Sequence, residues 1–324
     1  MSRTRRALVV GSVAGLVVAG LLTAPSASAG GPPFTPVVTG LVNPTHLAFG
    51  PGHTLYVADI GTASVSRHNL MSGSSTTLAG APGLVAGVDV NGAGNVFWTS
   101  NQSAGIEQQG PTFLERTNAA GRTWQKADML AWELAHNPDG QDQSAPDSKS
   151  NPYSVLALGD RVIVADAGAN DLIEVRANGS MRTLAVFPTF TNPGCGPNNN
   201  GDISCDPVPT DVELGPDGYL YVSGLGAEVE GHIYKVNAST GAIVQTWGGL
   251  PPLTGIAVSP DGTIYAASLI AGFGGSPSTV LRVQGGVVTS TMVPVPTDVE
   301  WGHGMLLVAS FTGTVYSVDL GSFH

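Results

Sequence analysis

The chain has 324 residues, with 13 Lys+Arg against 24 Asp+Glu, a formal net charge of −11, and 42% hydrophobic residues. So acidic a balance excludes a nucleic-acid binder, which needs clustered Lys and Arg to meet phosphate. The apolar fraction excludes disorder, although only 11% of residues are charged.

The chain begins with Met1-Ser2-Arg3-Thr4-Arg5-Arg6, then an apolar run from Ala7 to Leu22, then small residues ending in Ala27-Ser28-Ala29. A basic start, a short apolar middle and an A-x-A ending are the three parts of a secretory signal peptide. The run is short for a membrane span of ~20 residues, and no basic flank follows it. Cleavage after Ala29 and release outside the cell are therefore expected, with residues 30–324 forming one domain and no later span. Three Arg leave with the leader, so the mature chain carries 10 Lys+Arg against 24 Asp+Glu, a net charge of −14. Nucleic acid and anionic membrane are poor partners for it.

A short β-rich run then recurs six times: Leu55-Tyr56-Val57-Ala58, Val96-Phe97-Trp98-Thr99, Val162-Ile163-Val164-Ala165, Leu220-Tyr221-Val222-Ser223, Ile264-Tyr265-Ala266-Ala267 and Leu306-Leu307-Val308-Ala309. Their second residues lie 41, 66, 58, 44 and 42 positions apart. The short intervals match a four-stranded propeller blade of ~40–50 residues. Before each run comes an alternating strand and a turn, as in Pro209-Thr210-Asp211-Val212-Glu213-Leu214 before Gly215-Pro216-Asp217-Gly218. Pro fixes φ and Gly accepts positive φ, so Pro-Asp-Gly marks a hairpin. A third strand follows, as in His232-Ile233-Tyr234-Lys235-Val236, and a fourth closes the blade, as in Arg182 to Phe187. The fold expected is all-β, a six-bladed β-propeller. The sixth copy lacks a fourth strand, and Phe34-Thr35-Pro36-Val37-Val38-Thr39 at the other end is expected to supply it, closing the ring.

The two long intervals predict insertions. Between blades 2 and 3, about residues 117–150, the spacing predicts a helix from Thr123 to His136 with Trp124, Ala127, Ala131, Leu134 and Ala135 on one face, ended by Asn137-Pro138-Asp139-Gly140. The second insertion, about residues 188–208, holds Cys195 and Cys205. An even cysteine count in an exported chain predicts a disulfide.

The segment Asn151-Pro152-Tyr153-Ser154-Val155, then Val164-Ala165-Asp166 and Asn170-Asp171-Leu172-Ile173, resembles the ScyD/ScyE family of exported proteins. The preceding helix with Asn137-Pro138-Asp139-Gly140 and the later Gly215-Pro216-Asp217-Gly218-Tyr219-Leu220-Tyr221-Val222 share the resemblance, which covers nearly all of the mature chain. The blade hairpins are similar to those of NHL-repeat and SMP-30/gluconolactonase-like propellers in general. The resemblance implies a six-bladed fold and export, and carries over no catalytic residues.

Chemistry in a propeller gathers where the innermost strands begin. The equivalent positions are His46, Gly87, Ser154, Asp211, Gly255 and Asp298, and two residues further in come Ala48, Asp89, Leu156, Glu213, Ala257 and Glu300. His46, Asp89, Asp211, Glu213, Asp298 and Glu300 are thus the candidate ligand residues at the channel mouth. Asp211 and Asp298 are the candidate ligands for Ca²⁺, which takes several oxygens. The plainer reading is that these acids cap turns and bond backbone amides. Asp59 and Asp166, each before a Gly-containing turn, are expected to do that. Asp139, Asp142 and Asp147 lack the spacing of an EF-hand loop, and His303 stands in a blade turn. There is no G-x-S-x-G elbow, H-E-x-x-H helix or P-loop, and the Gly-rich Ala271 to Pro277 precedes no helix that would bind phosphate.

A non-enzymatic binding or scaffold protein is the function expected, with no cofactor required and a small-molecule, glycan or protein ligand. The alternative is a Ca²⁺-dependent lactonase-like hydrolase built on the acidic mouth. Against the alternative, no Asn stands at the six strand starts. A lyase of the streptogramin-inactivating kind fares worse, because six blades are counted and not seven.

Overall fold

The computed structural model describes residues 33–103, 110–144, 149–269 and 278–324. The expected leader lies outside them, as do Asp147 and the Gly-rich segment 271–277. Strand β1 (Phe34–Thr39) comes first. Blade 1 is β2 (Pro44–Gly50), β3 (Thr54–Asp59), β4 (Ser64–Asn69) and β5 (Ser75–Gly80). Blade 2 is β6 (Leu84–Val90), β7 (Val96–Asn101), β8 (Thr112–Thr117) and β9 (Thr123–Asp128), and helix α1 (Met129–His136) follows it. Blade 3 is β10 (Pro152–Leu158), β11 (Arg161–Asp166), β12 (Asp171–Arg176) and β13 (Met181–Val186). Blade 4 is β14 (Pro209–Leu214), β15 (Tyr219–Gly224), β16 (Gly231–Asn237) and β17 (Ile243–Leu250). Blade 5 is β18 (Gly255–Val258), β19 (Ile264–Ser268), β20 (Thr279–Gln284) and β21 (Val287–Met292). Blade 6 is β22 (Pro296–Gly302), β23 (Met305–Ser310) and β24 (Thr314–Val318), with β1 as its fourth strand.

The chain is a six-bladed β-propeller. Each sheet is antiparallel, and β1 pairs with β24 from Phe34↔Val318 to Thr39↔Thr314. The six marker runs are the second strands β3, β7, β11, β15, β19 and β23. They are apolar on both faces because each blade is packed on both sides. Val162 and Val164 meet Phe97 and Leu114 of blade 2, while Ile163 and Ala165 meet Val212 and Leu220 of blade 4. Side chains of a strand alternate between faces, so one strand serves two interfaces. Six buried apolar clusters result, one between every pair of adjacent blades.

Direction alternates from strand to strand, so each innermost strand begins at the rim where the connections between second and third strands also lie. On this rim the connections run to ten residues after β7, 23 after β9, 22 after β13 and ten after β19. On the opposite rim none exceeds five residues. There Gly218 and Gly262, of the Pro-Asp-Gly turns, take φ +80° and +83°.

The helix is shorter than the sequence predicts. Residues 123–128 form β9, with Trp124 opposite Arg116, and the helix spans only Met129–His136. Blade 2 needs a fourth strand to cover β8, and that pairing overrides the helical spacing. Of the expected apolar face only Ala127 is buried, as part of β9; Leu134 is exposed, and Met129 and Glu133 are the buried residues of the helix. Asp128 caps it by accepting from Ala131 N at 2.9 Å, and Asn137 ends it at φ +41°. The cysteines form the disulfide Cys195–Cys205, with Cα atoms 5.2 Å apart. No helix of the described residues is long and apolar enough to cross a membrane.

Candidate functional site

The six candidate residues stand in two tiers on the innermost strands. In the upper tier His46, Asp211 and Asp298 are buried, with ligand atoms all within 4.8 Å of one another. In the lower tier Asp89, Glu213 and Glu300 are half-buried, on blades 2, 4 and 6. A bulge shared by β2, β10, β14 and β22 at the second residue sets the upper tier.

The upper acids hold neighbouring blades together. Asp211 Oδ1 accepts from Ser154 Oγ of blade 3 at 2.6 Å and from Val212 N at 2.8 Å, while Oδ2 accepts from Ile256 N of blade 5 at 2.8 Å. Asp298 Oδ2 accepts from Leu47 N of blade 1 at 2.8 Å. Its Oδ1 has no partner, because blade 5 presents Gly255 where blade 3 presents Ser154 to Asp211. A side chain at Gly255 would collide with Asp298, whose Cα would stand 2.6 Å from the added Cβ. The lower tier repeats the pattern, with Asp89 accepting from Ala157 N at 2.6 Å and Glu300 from Phe49 N at 3.0 Å.

His46 reaches across the axis. It projects from blade 1, and its Nδ1 faces Ala86 O of blade 2 at 2.9 Å. Its Nε2 faces Thr210 O of the opposite blade 4 at 3.1 Å, with Asp211 Oδ1 at 3.8 Å. Tyr153 packs edge-on against the imidazole, with ring centroids 5.1 Å apart. A ring with one N–H donates to one of these two carbonyls. The nitrogen without the proton, together with Asp211 and Asp298, completes a group of three possible metal ligands.

The crowding of acids resists ionisation. Burial, then the charge of Asp211, holds Asp298 well above the usual carboxylate range. Glu213 is raised likewise by burial and by Glu300. Burial pushes Glu300 up to about 8 and Asp89 up to about 7, against the lowering by the backbone amides they accept from. Tyr153 is pushed up to about 12 by burial and by the Asp298 and Asp211 charges. Such raised carboxyls can keep or release a proton near neutrality, which a general acid or base must do.

The structural residues expected from the sequence behave so. Asp59 accepts from Val42, Asn43, Gly61 and Thr62 N–H groups, and Asp166 from Asn151, Gly168 and Ala169. His303 is exposed in the β22–β23 turn at φ +52°, its ring 4.9 Å from that of His53. The sequence reading missed the threonines beside the tier. Thr45 and Thr297 hydroxyls donate to Ala86 O and Pro44 O of the next blade at 2.7 and 2.8 Å, and Thr210 to Leu253 O, in the connection leading into the next blade, at 3.0 Å. The recurring Pro-Thr before His46, Asp211 and Asp298 was the available signal.

No known family model matches the chain, and no curated protein matches it in sequence. Solved structures do match in shape. The chain is similar to a gluconolactonase from Xanthomonas campestris, with a TM-score of 0.61 at 13% identity over 90% of this chain and 89% of that one. It is similar to the PQQ-bound aldose sugar dehydrogenase of Streptomyces coelicolor, with a TM-score of 0.59 at 14% identity over 87% and 96%. Virginiamycin B lyase from Staphylococcus aureus gives a TM-score of 0.53 at 14% identity over 86% and 80%. At these identities the likeness is one of fold.

Proposed function

We propose that the protein is an exported binding propeller of the ScyD/ScyE type, which takes a polar ligand on its loop-bearing rim. One observation carries this reading: the two long insertions rise on one rim and bond each other, while Asp211 and the strand-start threonines on the axis join blades. Asp142 N donates to Asn200 Oδ1 at 2.7 Å and Val208 N to Asn170 Oδ1 at 3.1 Å, tying helix loop, disulfide loop and blade 3 into one platform. A rigid scaffold bearing long loops on one face is how binding sites are commonly built. The disulfide suits an oxidising compartment and supports export, as do the basic start and Ala27-Ser28-Ala29.

The test is equilibrium binding of residues 30–324 to a panel of glycans and small polar metabolites. Ile203, 65% exposed in the disulfide loop, and Met71, 78% exposed on the opposite rim, supply the contrast. Ile203→Arg is expected to weaken a saturable ligand about tenfold or more, and Met71→Arg to leave it unchanged. Equal loss in both variants, or no binder anywhere in the panel, would sink the reading.

A Ca²⁺-dependent lactone hydrolase is the second reading. It is favoured by Asp298 Oδ1, a buried axial oxygen without a partner beside Asp211, and by the likeness to a gluconolactonase. Asp211 and Asp298 would hold the ion, which would polarise the lactone carbonyl. Water would add there and the ring C–O bond would break, giving the hydroxy acid. A raised carboxyl such as Glu300 would take the proton from water. Proton release from gluconolactone, with Ca²⁺ or with chelator, decides it. A Ca²⁺-dependent rate that Asp298→Asn abolishes would establish hydrolysis; a rate equal to the uncatalysed one in both conditions would end this reading.

A further inference from the structure

Seven buried side-chain polar atoms of the described residues lack a hydrogen-bond partner, and five of them come from α1, the loop after it and the start of β12. They are Glu133 Oε2, Asn137 Oδ1, Gln141 Oε1 and both oxygens of Asp171. All five are acceptors, and a buried acceptor with no donor is costly to leave unmet. Glu133 comes from α1, Asn137 and Gln141 from the loop after it, and Asp171 from the start of β12 on the same rim. Glu133 and Asp171 are fully buried, and Gln141 is 4% exposed.

Local bonds hold this arrangement. Asn170, next to Asp171, donates from Nδ2 to Asp139 Oδ2 at 2.9 Å and so brings the loop over the blade-3 rim. Gln143 donates to Glu133 Oε1 at 2.8 Å and leaves Oε2. The amide orientations are fixed, because Asn137 Nδ2 donates to Gln141 O at 3.1 Å and Gln141 Nε2 donates to Asp206 Oδ1. Flipping either amide would set oxygen against oxygen. Asp139 and Asp166 add charge behind the cluster. Burial first, and then the Asp166, Glu133 and Asp139 charges, raise the Asp171 carboxyl well above its usual range. The Thr183 hydroxyl beside Asp171 acts against that rise. None of these four carboxylates forms an ion pair with a described Lys, Arg or His.

We propose that Glu133, Asn137, Gln141 and Asp171 form a Ca²⁺ site that pins the helical insertion to blade 3. The donors are all oxygens, carboxylate and amide mixed, which is the set a large hard cation takes; zinc or copper would call for imidazole or thiolate. Among the described residues the carboxylates do not by themselves form a three-acid ligand set, so the two amide oxygens are a necessary part of the cage. Through the Gln141–Asp206 bond the ion also steadies the disulfide loop. The site is separate from the axis and independent of the ligand reading above. Its competitor is a pair of protonated carboxyls donating to the amide oxygens.

The experiment titrates chelator-treated residues 30–324 with Ca²⁺ alone, reading the thermal midpoint, and then with Tb³⁺, reading luminescence excited through tryptophan. Trp132, next to Glu133 on α1, donates to Thr183 at 3.2 Å and is the antenna expected. Saturating Ca²⁺ is expected to raise the midpoint by roughly 5 °C or more. Asp171→Asn should weaken both signals at least tenfold, and Asp160→Asn, at an exposed acid in the β10–β11 turn of the opposite rim, should leave both intact. Gln141→Leu, outside every strand, is read in the same way should Asp171→Asn fail to fold. An unchanged midpoint with no Tb³⁺ signal would overturn the proposal in favour of protonated carboxyls. Signals lost in Asp298→Asn and kept in Asp171→Asn would overturn it in favour of the axis.

Discussion

Glu174 on β12 shows how much one side chain can gather. Its Oε2 accepts from Arg161 Nη1 at 2.9 Å and Arg182 Nη2 at 2.8 Å, and its Oε1 from Arg176 Nε at 2.9 Å. The hydrogen bond from Arg182, then the other arginines, hold its carboxyl down to about 2 from an ordinary 4.5, against burial. A depressed carboxyl stabilises the fold above its unfolded pKa, and that stability is lost as pH falls through the folded value. Glu174→Gln should therefore cost about 1–3 kcal/mol at neutral pH, with the gap to wild type closing between pH 4.5 and about 2. Urea titrations at several pH values check it. Gly255 makes a second case at this scale. An added methyl would meet the backbone of Asp298, which cannot swing aside. Gly255→Ala is expected to cost about 1–3 kcal/mol in a denaturant titration, from overpacking. The residue type was visible in the sequence, but its reason lies on the neighbouring blade.

Among the elements, the innermost strands are joined less by strand pairing than by side chains reaching the next backbone. Thr297 Oγ1 to Pro44 O spans the junction where blade 6 meets blade 1. Thr297→Val removes the donor and leaves that carbonyl buried, at a cost of about 1–3 kcal/mol read by thermal or urea unfolding. The disulfide loop is a separate element, closed also by the bridges Phe190↔Cys205 and Pro197↔Ile203. Replacing both cysteines with serine should cost up to ~2–3 kcal/mol by loop-closure entropy. Limited proteolysis is expected to show new cleavage between Cys195 and Cys205 before the blades unfold. The helix is where local reading went astray. Residues 123–128 have helical spacing, yet the edge of β8 offers them a full ladder of backbone bonds.

For the whole ring, closure rests on β1, which brings Phe34 to 4.9 Å from Tyr316, edge to face, and buries Val38 against Leu307 and Val315. Deleting residues 30–39 leaves β24 as an open edge. Size-exclusion chromatography should then show aggregation, with the monomer melting well below the intact chain. Retained monomer with an unchanged midpoint would show that the other blade interfaces suffice.

The sequence by itself determined the blade count, the hairpins and the two insertions, because strand alternation and turn residues are local and repeat. It also placed His46, Asp211 and Asp298 on equivalent positions, since repeat register is local too. What those residues do was decided only in three dimensions. His46 crosses to the opposite blade, Asp211 meets a serine one blade back, and Asp298 meets a glycine there instead. The unpartnered oxygens of Glu133, Gln141 and Asp171 likewise come from a helix, a loop and a strand with no common spacing. Partners set by inter-blade contact leave no periodic trace in the chain, and only the folded ring brings them together.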